Sequence, residues 1–278
     1  MRKLGLIAGG GNLPVRLAAH CESSGRPFFV LRLRGFASPE LAEFPGDDAG
    51  LAELGRGFRL LRRSGCESVC FAGIVARPDF AALRPDMRGL VALPGAILAA
   101  RAGDDGLLRF LLKEFEKEGF HVEGAHEVMG GLTLPLGPLG RHAPTARDEP
   151  DIARAMSVAR VIGREDIGQG AVVCAGLVLA VEAQEGTDAM LERVAQLPQA
   201  IRGSPEAPRG VLAKAPKPTQ ETRVDLPTIG THTLMQCSRA GLAGIAGEAG
   251  RVLVLDREAV VEMADELGLF VVGLDSGA

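Results

Sequence analysis

The chain begins with a short apolar run, Leu4–Ala8, that passes directly into Gly9-Gly10-Gly11-Asn12-Leu13-Pro14 and then into a helical pattern reaching about Glu22. A buried strand, a glycine turn and a helix in that order are the opening of a β-α-β unit, and the next segments repeat the alternation. Pro27–Leu33 is the second strand. Leu51–Arg63 has Leu51, Leu54, Phe58 and Leu61 at helical spacing on one face, with Arg56, Arg59 and Arg63 off it. Ser68–Val75 is another strand, and Gly103-Asp104-Asp105-Gly106 introduces a helix carrying Leu107, Leu108, Leu111, Leu112 and Phe115. Strands alternating with helices predict an α/β fold whose first domain is Rossmann-like, a mostly parallel sheet with helices on both faces.

Between about Leu134 and Pro150 the periodicity stops and Pro135, Gly137, Pro138, Gly140, Pro144 and Pro150 punctuate the chain. That predicts a first domain at 1–134, a linker at 135–150 and a second α/β domain at 151–278. The second domain is expected to hold a helix from Asp151, a strand Ala171–Ala183 and a helix Asp188–Gln196. Arg251–Asp256, the helix Glu258–Leu267 and Phe270–Leu274 read as a closing β-α-β unit.

With 278 residues, of which 46% are hydrophobic, the chain can bury a full core. Trp and Tyr are absent, so the core must be built from Leu, Val and Ala. The lack of aromatic stacking platforms and the net charge of −4 argue against nucleic acid as a partner. The first hundred residues carry a net charge of +4 and the remainder −8. Five cysteines form no CxxC pair, which suits a reducing compartment. The basic start is followed by an apolar run too short for a signal peptide, and the longest apolar stretch, Ala171–Val181, falls well short of the roughly 20 residues that span a bilayer. A cytoplasmic protein is expected, with peripheral contact to the inner membrane as the alternative to a fully free one.

Gly9–Leu13 is a candidate phosphate loop. Glycine lets the backbone approach an anion, and the following helix N-terminus offers unpaired N–H groups and a partial positive charge. It is not a dinucleotide fingerprint, because Pro14 stands at the third glycine position and the second strand ends in Arg32 and Arg34 rather than an acid. Glu182, Glu185, Thr187 and Asp188 surround a glycine and serve either as helix caps or as oxygen ligands for Mg²⁺. Asp104 and Asp105 pose the same choice. Arg77 and Asp79 sit where a strand ends, the usual place for ligand contacts in a parallel sheet. No histidine spacing suggests a zinc site, and Ser238 lacks the setting of a hydrolytic nucleophile.

Residues 214–231, Lys-Ala-Pro-Lys-Pro-Thr-Gln-Glu-Thr-Arg-Val-Asp-Leu-Pro-Thr-Ile-Gly-Thr, carry the densest chemistry. Pro216, Pro218 and Pro227 stiffen the backbone and keep Lys214–Pro218 out of helix interior. In polyproline geometry Lys214 and Lys217 project from one side, and Gln220 and Arg223 continue the spacing. If Arg223–Leu226 is a strand, Arg223 and Asp225 share a face while Val224 and Leu226 point into a core. Either way a row of donors ends beside Asp225, as a site for a phosphorylated, metal-bound ligand would require. An ordinary Asp, with a pKa near 3.9, is a weak base at neutral pH, and a positioned base supplies only about 10²–10⁴-fold. Phosphate-ester chemistry demands more, which favours Asp225 as a metal ligand or as the carboxylate orienting the attacking water.

Taken together, Leu6–Pro14, Ala72-Gly73 with Arg77-Pro78, Gly103-Asp104-Asp105, Ile167-Gly168-Gln169, Glu185-Gly186-Thr187-Asp188 and Lys214–Gly230 resemble the bacterial LpxI family, the UDP-2,3-diacylglucosamine pyrophosphatases of lipid A biosynthesis. The resemblance spans essentially the whole chain; Gly170 stands where an alanine is expected in relatives. It implies Mg²⁺-assisted hydrolysis, with Mn²⁺ or Co²⁺ as substitutes, of a lipid-linked nucleotide sugar to UMP and 2,3-diacylglucosamine 1-phosphate by a two-domain homodimer. Catalytic roles then fall on Asp225, Lys214, Lys217, Arg223 and Gln220. Substrate contacts fall on Gly9, Gly10, Gly11, Asn12, Leu13, Arg77, Asp104, Thr187, Thr228 and Gly230, and the metal on Asp225, Asp188 and Glu185. Two rivals are a non-catalytic nucleotide-sugar sensor and an NADP-linked oxidoreductase, the latter suggested by Arg32 and Arg34.

Overall fold

The computed structural model describes residues 1–275 apart from Arg77, Ala102, Thr219, Gln220, Thr222 and Asp225, and leaves out the side chain of Asp104. The chain divides into two compact units, Met1–Gly130 with Arg223–Asp225, and Gly131–Thr222 with Leu226–Ala278.

The first unit runs β1 (Leu4–Ala8), α1 (Asn12–Ser23), β2 (Phe28–Leu33), β3 (Gly46–Ala49), α2 (Leu54–Arg63), β4 (Ser68–Ala72), α3 (Met87–Arg101), α4 (Asp104–Lys117), β5 (His121–Val122) and α5 (Ala125–Val128). Its five-stranded sheet has the order β3-β2-β1-β4-β5, all parallel. This is the Rossmann-like arrangement, with the order reversing between β1 and β4. Every residue of β1 is buried, which requires cover on both faces of the sheet. Ile7, Leu31, Leu33 and Val69 meet Phe58 of α2 and Phe115 of α4 on one of them. The few aromatics are concentrated here: Phe58 and Phe115 pack edge to face at 4.8 Å, and Phe71 meets Phe115 at 4.9 Å. Helix α2 buries Phe58 and Leu61 and turns its arginines outward, as its pattern predicts. One carboxylate holds two helix ends: Asp86 accepts from Gly55 N–H (3.2 Å) and Arg56 N–H (2.8 Å) at the start of α2, and from Gly89 N–H (2.8 Å) in α3.

The second unit comprises β6 (Gly137–Pro138), α6 (Glu149–Arg164), β7 (Gly170–Cys174), β8 (Leu177–Val181), α7 (Gly186–Ala195), β9 (Val211–Lys214), β10 (Thr228–Ile229), α8 (Thr231–Arg239), β11 (Gly244–Glu248), β12 (Leu253–Val254), α9 (Arg257–Leu267) and β13 (Phe270–Leu274). A mixed six-stranded sheet runs β6-β13-β11-β9-β7-β8. Strands β13, β11 and β9 are parallel, while β6, β7 and β8 run antiparallel to their neighbours. Strands β10 and β12 form a separate parallel pair.

Three segments differ from the sequence expectation. The proline- and glycine-rich stretch 135–150 is built into the second unit: β6 pairs with β13, and Leu139 N–H donates to Val271 at 2.7 Å. The expected strand Ala171–Ala183 is a hairpin, turned at Ala175 and Gly176, both with positive φ (49° and 76°). Its turn is clamped by Asp151, whose carboxylate accepts both turn N–H groups at 2.7 Å. Strand β13 pairs with β11, not with the segment around β12, so the closing β-α-β unit uses a strand that the Gly/Ala-rich sequence hides.

Acid should loosen the first unit in a defined window. Burial pushes the Asp86 carboxyl up, but the N–H donors of Gly89, Arg56 and Gly55 outweigh it and hold it below the ordinary carboxylate value. Glu123 behaves alike: burial raises it, and hydrogen bonds from Arg26 and Ser68 more than reverse that. A depressed folded-state pKa contributes stability above the unfolded value, near 4, that is lost as pH falls through the folded value. The melting temperature followed by circular dichroism is therefore expected to hold from neutral pH to about 5 and to drop below about 4. Asp86→Asn should flatten that drop while lowering the neutral-pH value.

Candidate functional site

In the first unit the glycine loop leaves the C-terminal end of β1 at the switch between β1 and β4. Gly9 N–H donates to Ala72 O (2.9 Å), and Gly10 and Ile74 exchange a reciprocal pair (2.9 and 2.8 Å). The amides of Gly9 and Gly10 are thus taken by the chain leaving β4. Their missing side chains are also explained locally: a Cβ on Gly9 would meet Ile74 O at 2.7 Å, and one on Gly10 would meet Phe36 O at 3.0 Å. An anion held at this loop would meet Gly11, Asn12 and Leu13 at the start of α1 instead. Gly11 has φ 84°, and α1 starts behind it with no side-chain cap.

Arg223 and Val224, expected in a polyproline or strand segment, form a turn in this unit. The Arg223 guanidinium pairs with Glu116 at 2.9 Å, and Val224 packs against the core near Phe71 and Phe115. Beside them lies an apolar cavity of about 330 Å³. Asp79 accepts the N–H of Ala81 in a turn, and Asp105 pairs with Arg109 along α4. Arg77 lies outside the described residues; Asp104 opens α4, and its side chain lies outside the described atoms.

In the second unit the site is assembled along one edge of the sheet. Lys214 is the last residue of β9, opposite Gly170 of β7 on one side and Gly247 of β11 on the other. Glu182, just past β8, donates its N–H to Gly170 at 2.8 Å. Glu182, Lys214 and Glu248 all lie at this end of the sheet, each only 4–6% exposed, with Lys214 on the face of Leu212 and Glu248 on the opposite face with Ala246. Glu248 is held by Arg160 (3.0 Å) and Arg251 (3.1 Å), and Lys214 Nζ donates to Thr228 O at 3.0 Å. Lys217 Nζ reaches Asp166 at 2.6 Å, just past the end of α6.

The first turn of α7 faces this edge. Thr187 and Asp188 lie inside the helix, not at its cap, and the Thr187 hydroxyl donates to Glu182 Oε1 at 2.8 Å. Glu182 Oε2 is buried and has no hydrogen-bond partner among the described residues. Asp188 faces His232 of α8 at 3.5 Å, while the Glu185 carboxylate is taken by Arg193. Gly230 caps α8 in extended geometry, so β10 delivers Thr228 to Lys214 and a helix N-terminus beside Asp188 in a few residues. Cys237 reports the same convergence: burial pushes its thiol up to about 12, Lys214 pulls it down and Asp188 raises it. All five thiols are free and buried. Gln220 and Asp225 lie outside the described residues.

Among the described residues no three His, Cys, Asp or Glu side chains converge as a metal cage. Mg²⁺ needs no such cage, since one or two carboxylates with water and substrate phosphates complete its shell. The hard oxygens of Asp188, Thr187 and the unpartnered Glu182 Oε2 fit that chemistry; Glu185 would have to give up Arg193 first. Sequence reasoning did not find the Glu248–Arg160–Arg251 cluster or the Asp166 partner of Lys217. The Arg160–Glu248 and Lys217–Asp166 pairs join segments 88 and 51 residues apart, while Arg251–Glu248 is local, at i,i+3.

The LpxI N-terminal domain model matches residues 3–132, and the LpxI C-terminal domain model matches residues 135–272. The UDP-2,3-diacylglucosamine pyrophosphatase LpxI of Caulobacter vibrioides (strain ATCC 19089 / CIP 103742 / CB 15) is 68% identical over 275 residues, covering 99% of this chain and 98% of that protein.

Because the glycines at 9 and 10 are explained by packing, substitution there should act on the fold before any ligand is present. Gly9→Ala is expected to destabilise the ligand-free protein by about 1–3 kcal/mol, the usual cost of overpacking a rigid neighbour. At Gly11 a Cβ meets nothing nearer than Ile74 Cδ1 at 3.8 Å, so Gly11→Ala should cost only the left-handed backbone strain of about 1–2 kcal/mol. Denaturant unfolding of the two variants checks both values.

Proposed function

The chain belongs to the LpxI family, and from that premise we propose that it hydrolyses the diphosphate bond of UDP-2,3-diacylglucosamine, giving UMP and 2,3-diacylglucosamine 1-phosphate (lipid X) for lipid A synthesis. The observation that carries this is the near-full-length identity to a pyrophosphatase of that specificity. The sites described in each unit support it chemically. Lys214, Lys217, Arg223 and Gln220 are donors for phosphate oxygens, with Gly11, Asn12 and Leu13 supplying backbone N–H groups and Arg77 a further cation. Asp225 orients the attacking water, and Thr187, Thr228, Gly230 and Asp104 position the substrate.

Mg²⁺, when bound, neutralises diphosphate charge and makes phosphorus easier to attack. Asp225 and Asp188 would hold it, with Glu182 Oε2 better disposed as a third oxygen than Glu185, which is committed to Arg193. Lys214 enters already oriented by the Thr228 carbonyl. Lys217 and Arg223 exchange Asp166 and Glu116 for substrate oxygens.

The oxidoreductase alternative loses its motive, since Arg32 is spent on Asp48 (2.9 Å) and Arg34 on Glu53 (3.3 Å). We further propose a cytoplasmic homodimer that meets the inner membrane peripherally. Among the described residues no helix is long and apolar enough to cross a membrane. The exposed Met87, Leu90, Val91 and Leu98 of α3 support contact with an apolar surface.

The test is UMP release from UDP-2,3-diacylglucosamine with Mg²⁺ or with excess EDTA. Wild type should release UMP only with metal. Asp225→Ala should lose about 10²–10⁴-fold in kcat while still binding substrate, and Lys217→Met about 10²–10³-fold. Tight binding without turnover under any metal would leave the nucleotide-sugar sensor standing instead.

A further inference from the structure

We propose that Glu182 is a positioning residue that makes Thr187 read a sugar hydroxyl of the substrate, an inference that rests on the diacylated nucleotide sugar being what this chain hydrolyses. The Thr187 hydroxyl donates to Glu182 Oε1 at 2.8 Å. A hydroxyl has one proton and two lone pairs, so with its proton committed Thr187 offers only acceptors. An ionised phosphate oxygen is an acceptor too, and the two do not bond. What the Thr187 oxygen can hold is a donor, and the donors next to the diphosphate are hydroxyls of ribose or of glucosamine.

The carboxylate is fixed well enough to impose that orientation. Glu182 N–H donates to Gly170 O at 2.8 Å, which ties its backbone to β7. Ala180, Val172 and Leu212 share one core, so by alternation Glu182 lies on the same face as Gly170 and Lys214. There its side chain folds over the glycine. A Cβ on Gly170 would meet Glu182 Oε2 at 2.5 Å, and one on Gly168 would meet Glu182 O at 2.1 Å. Two glycines thus leave the space that the acid occupies.

Glu182 is only 6% exposed, whereas Thr187 is partly exposed in the first turn of α7. The acid therefore acts on a ligand through the hydroxyl, not by touching it. Stability alone does not account for it, because Oε2 is buried with no hydrogen-bond partner among the described residues, and an acceptor left so costs free energy. The positioning role uses Oε1 and does not draw on Oε2, the oxygen assigned to Mg²⁺. Lys214 and Lys217 suit phosphate oxygens, and an acceptor-only hydroxyl beside them adds recognition of what flanks the diphosphate.

The experiment compares kcat/KM for release of the nucleoside monophosphate from the parent substrate and from four deoxy analogues, lacking the ribose 2′ or 3′ hydroxyl or the glucosamine 4 or 6 hydroxyl. Wild type should lose about tenfold on one of the four, the worth of one hydrogen bond, and that analogue identifies the sugar being read. Thr187→Val and Glu182→Met should be slower on the parent and lose this discrimination. Glu182→Gln should keep it, because its amide oxygen still accepts from Thr187. If Glu182→Met fails to fold, Glu182→Ala removes the same acceptor and takes its place. Full discrimination in Glu182→Met, or none among the four analogues in wild type, would overturn the proposal and leave the hydrolase assignment intact. Discrimination lost in Glu182→Gln would tie the effect to the charge of the acid and overturn it as well. Absence of UMP release from the parent by folded wild type would instead bring down that assignment, and this proposal with it.

Discussion

The hydrogen bond from Lys214 Nζ to Thr228 O governs the part of the chain where the chemistry is concentrated. A buried ammonium loses several kcal/mol of hydration unless polar partners replace the water. Here one partner is a backbone carbonyl 14 residues further along, so this hydrogen bond also closes the base of the 215–227 excursion. Within that excursion Arg223 and Val224 belong to the first unit, while Lys214, Lys217, Thr228 and Gly230 belong to the second. One covalent segment therefore contributes to both units, and its two ends are fixed in the second by strands β9 and β10. Glu182 and Glu248 lie at the same end of the sheet, Glu248 on the face opposite Lys214, and each is held by its own partner from a helix, Thr187 in one case and Arg160 in the other.

How much of this was legible depends on the range of the interactions. The first sheet was, because β1, β2 and β4 are apolar runs bounded by glycine or proline and separated by amphipathic helices. The hairpin of β7 and β8 was not. Its turn is Ala175-Gly176, and the Ala175 conformation is imposed by Asp151, 24 residues earlier, through a hydrogen bond that no local rule anticipates. Strand β11 was hidden for a different reason. Gly-Ile-Ala-Gly-Glu has little strand propensity, and it is a strand because Phe270 packs where Gly244 has no side chain.

The candidate site divides along the same line. Lys214 to Gly230 stands out because prolines, cations and the acids Glu221 and Asp225 in that order are rare, and Thr187 with Asp188 stands out as an acidic helix start. The glycine loop was legible in place and only half in role. Gly9 and Gly10 look like phosphate ligands until the chain leaving β4 is seen to occupy their N–H groups, a pairing across more than sixty residues of sequence. What remains for an anion is the uncapped start of α1, which is where the macrodipole acts most strongly.

The internal pairing of the cations bears on how a diphosphate would be recognised. Lys217 and Arg223 each hold a carboxylate, Asp166 and Glu116, at hydrogen-bonding distance. A ligand with a single weak charge gains little by displacing a carboxylate, since one anion replaces another. A diphosphate carries several oxygens and, under the proposed roles of these cations, would engage several donors at once in exchange for the displaced acids. Pre-pairing thus raises the threshold for small anions more than for the multivalent ligand, which is selectivity by competition. It also holds the long side chains in place before the substrate arrives, so less rotamer entropy is lost when the partners exchange.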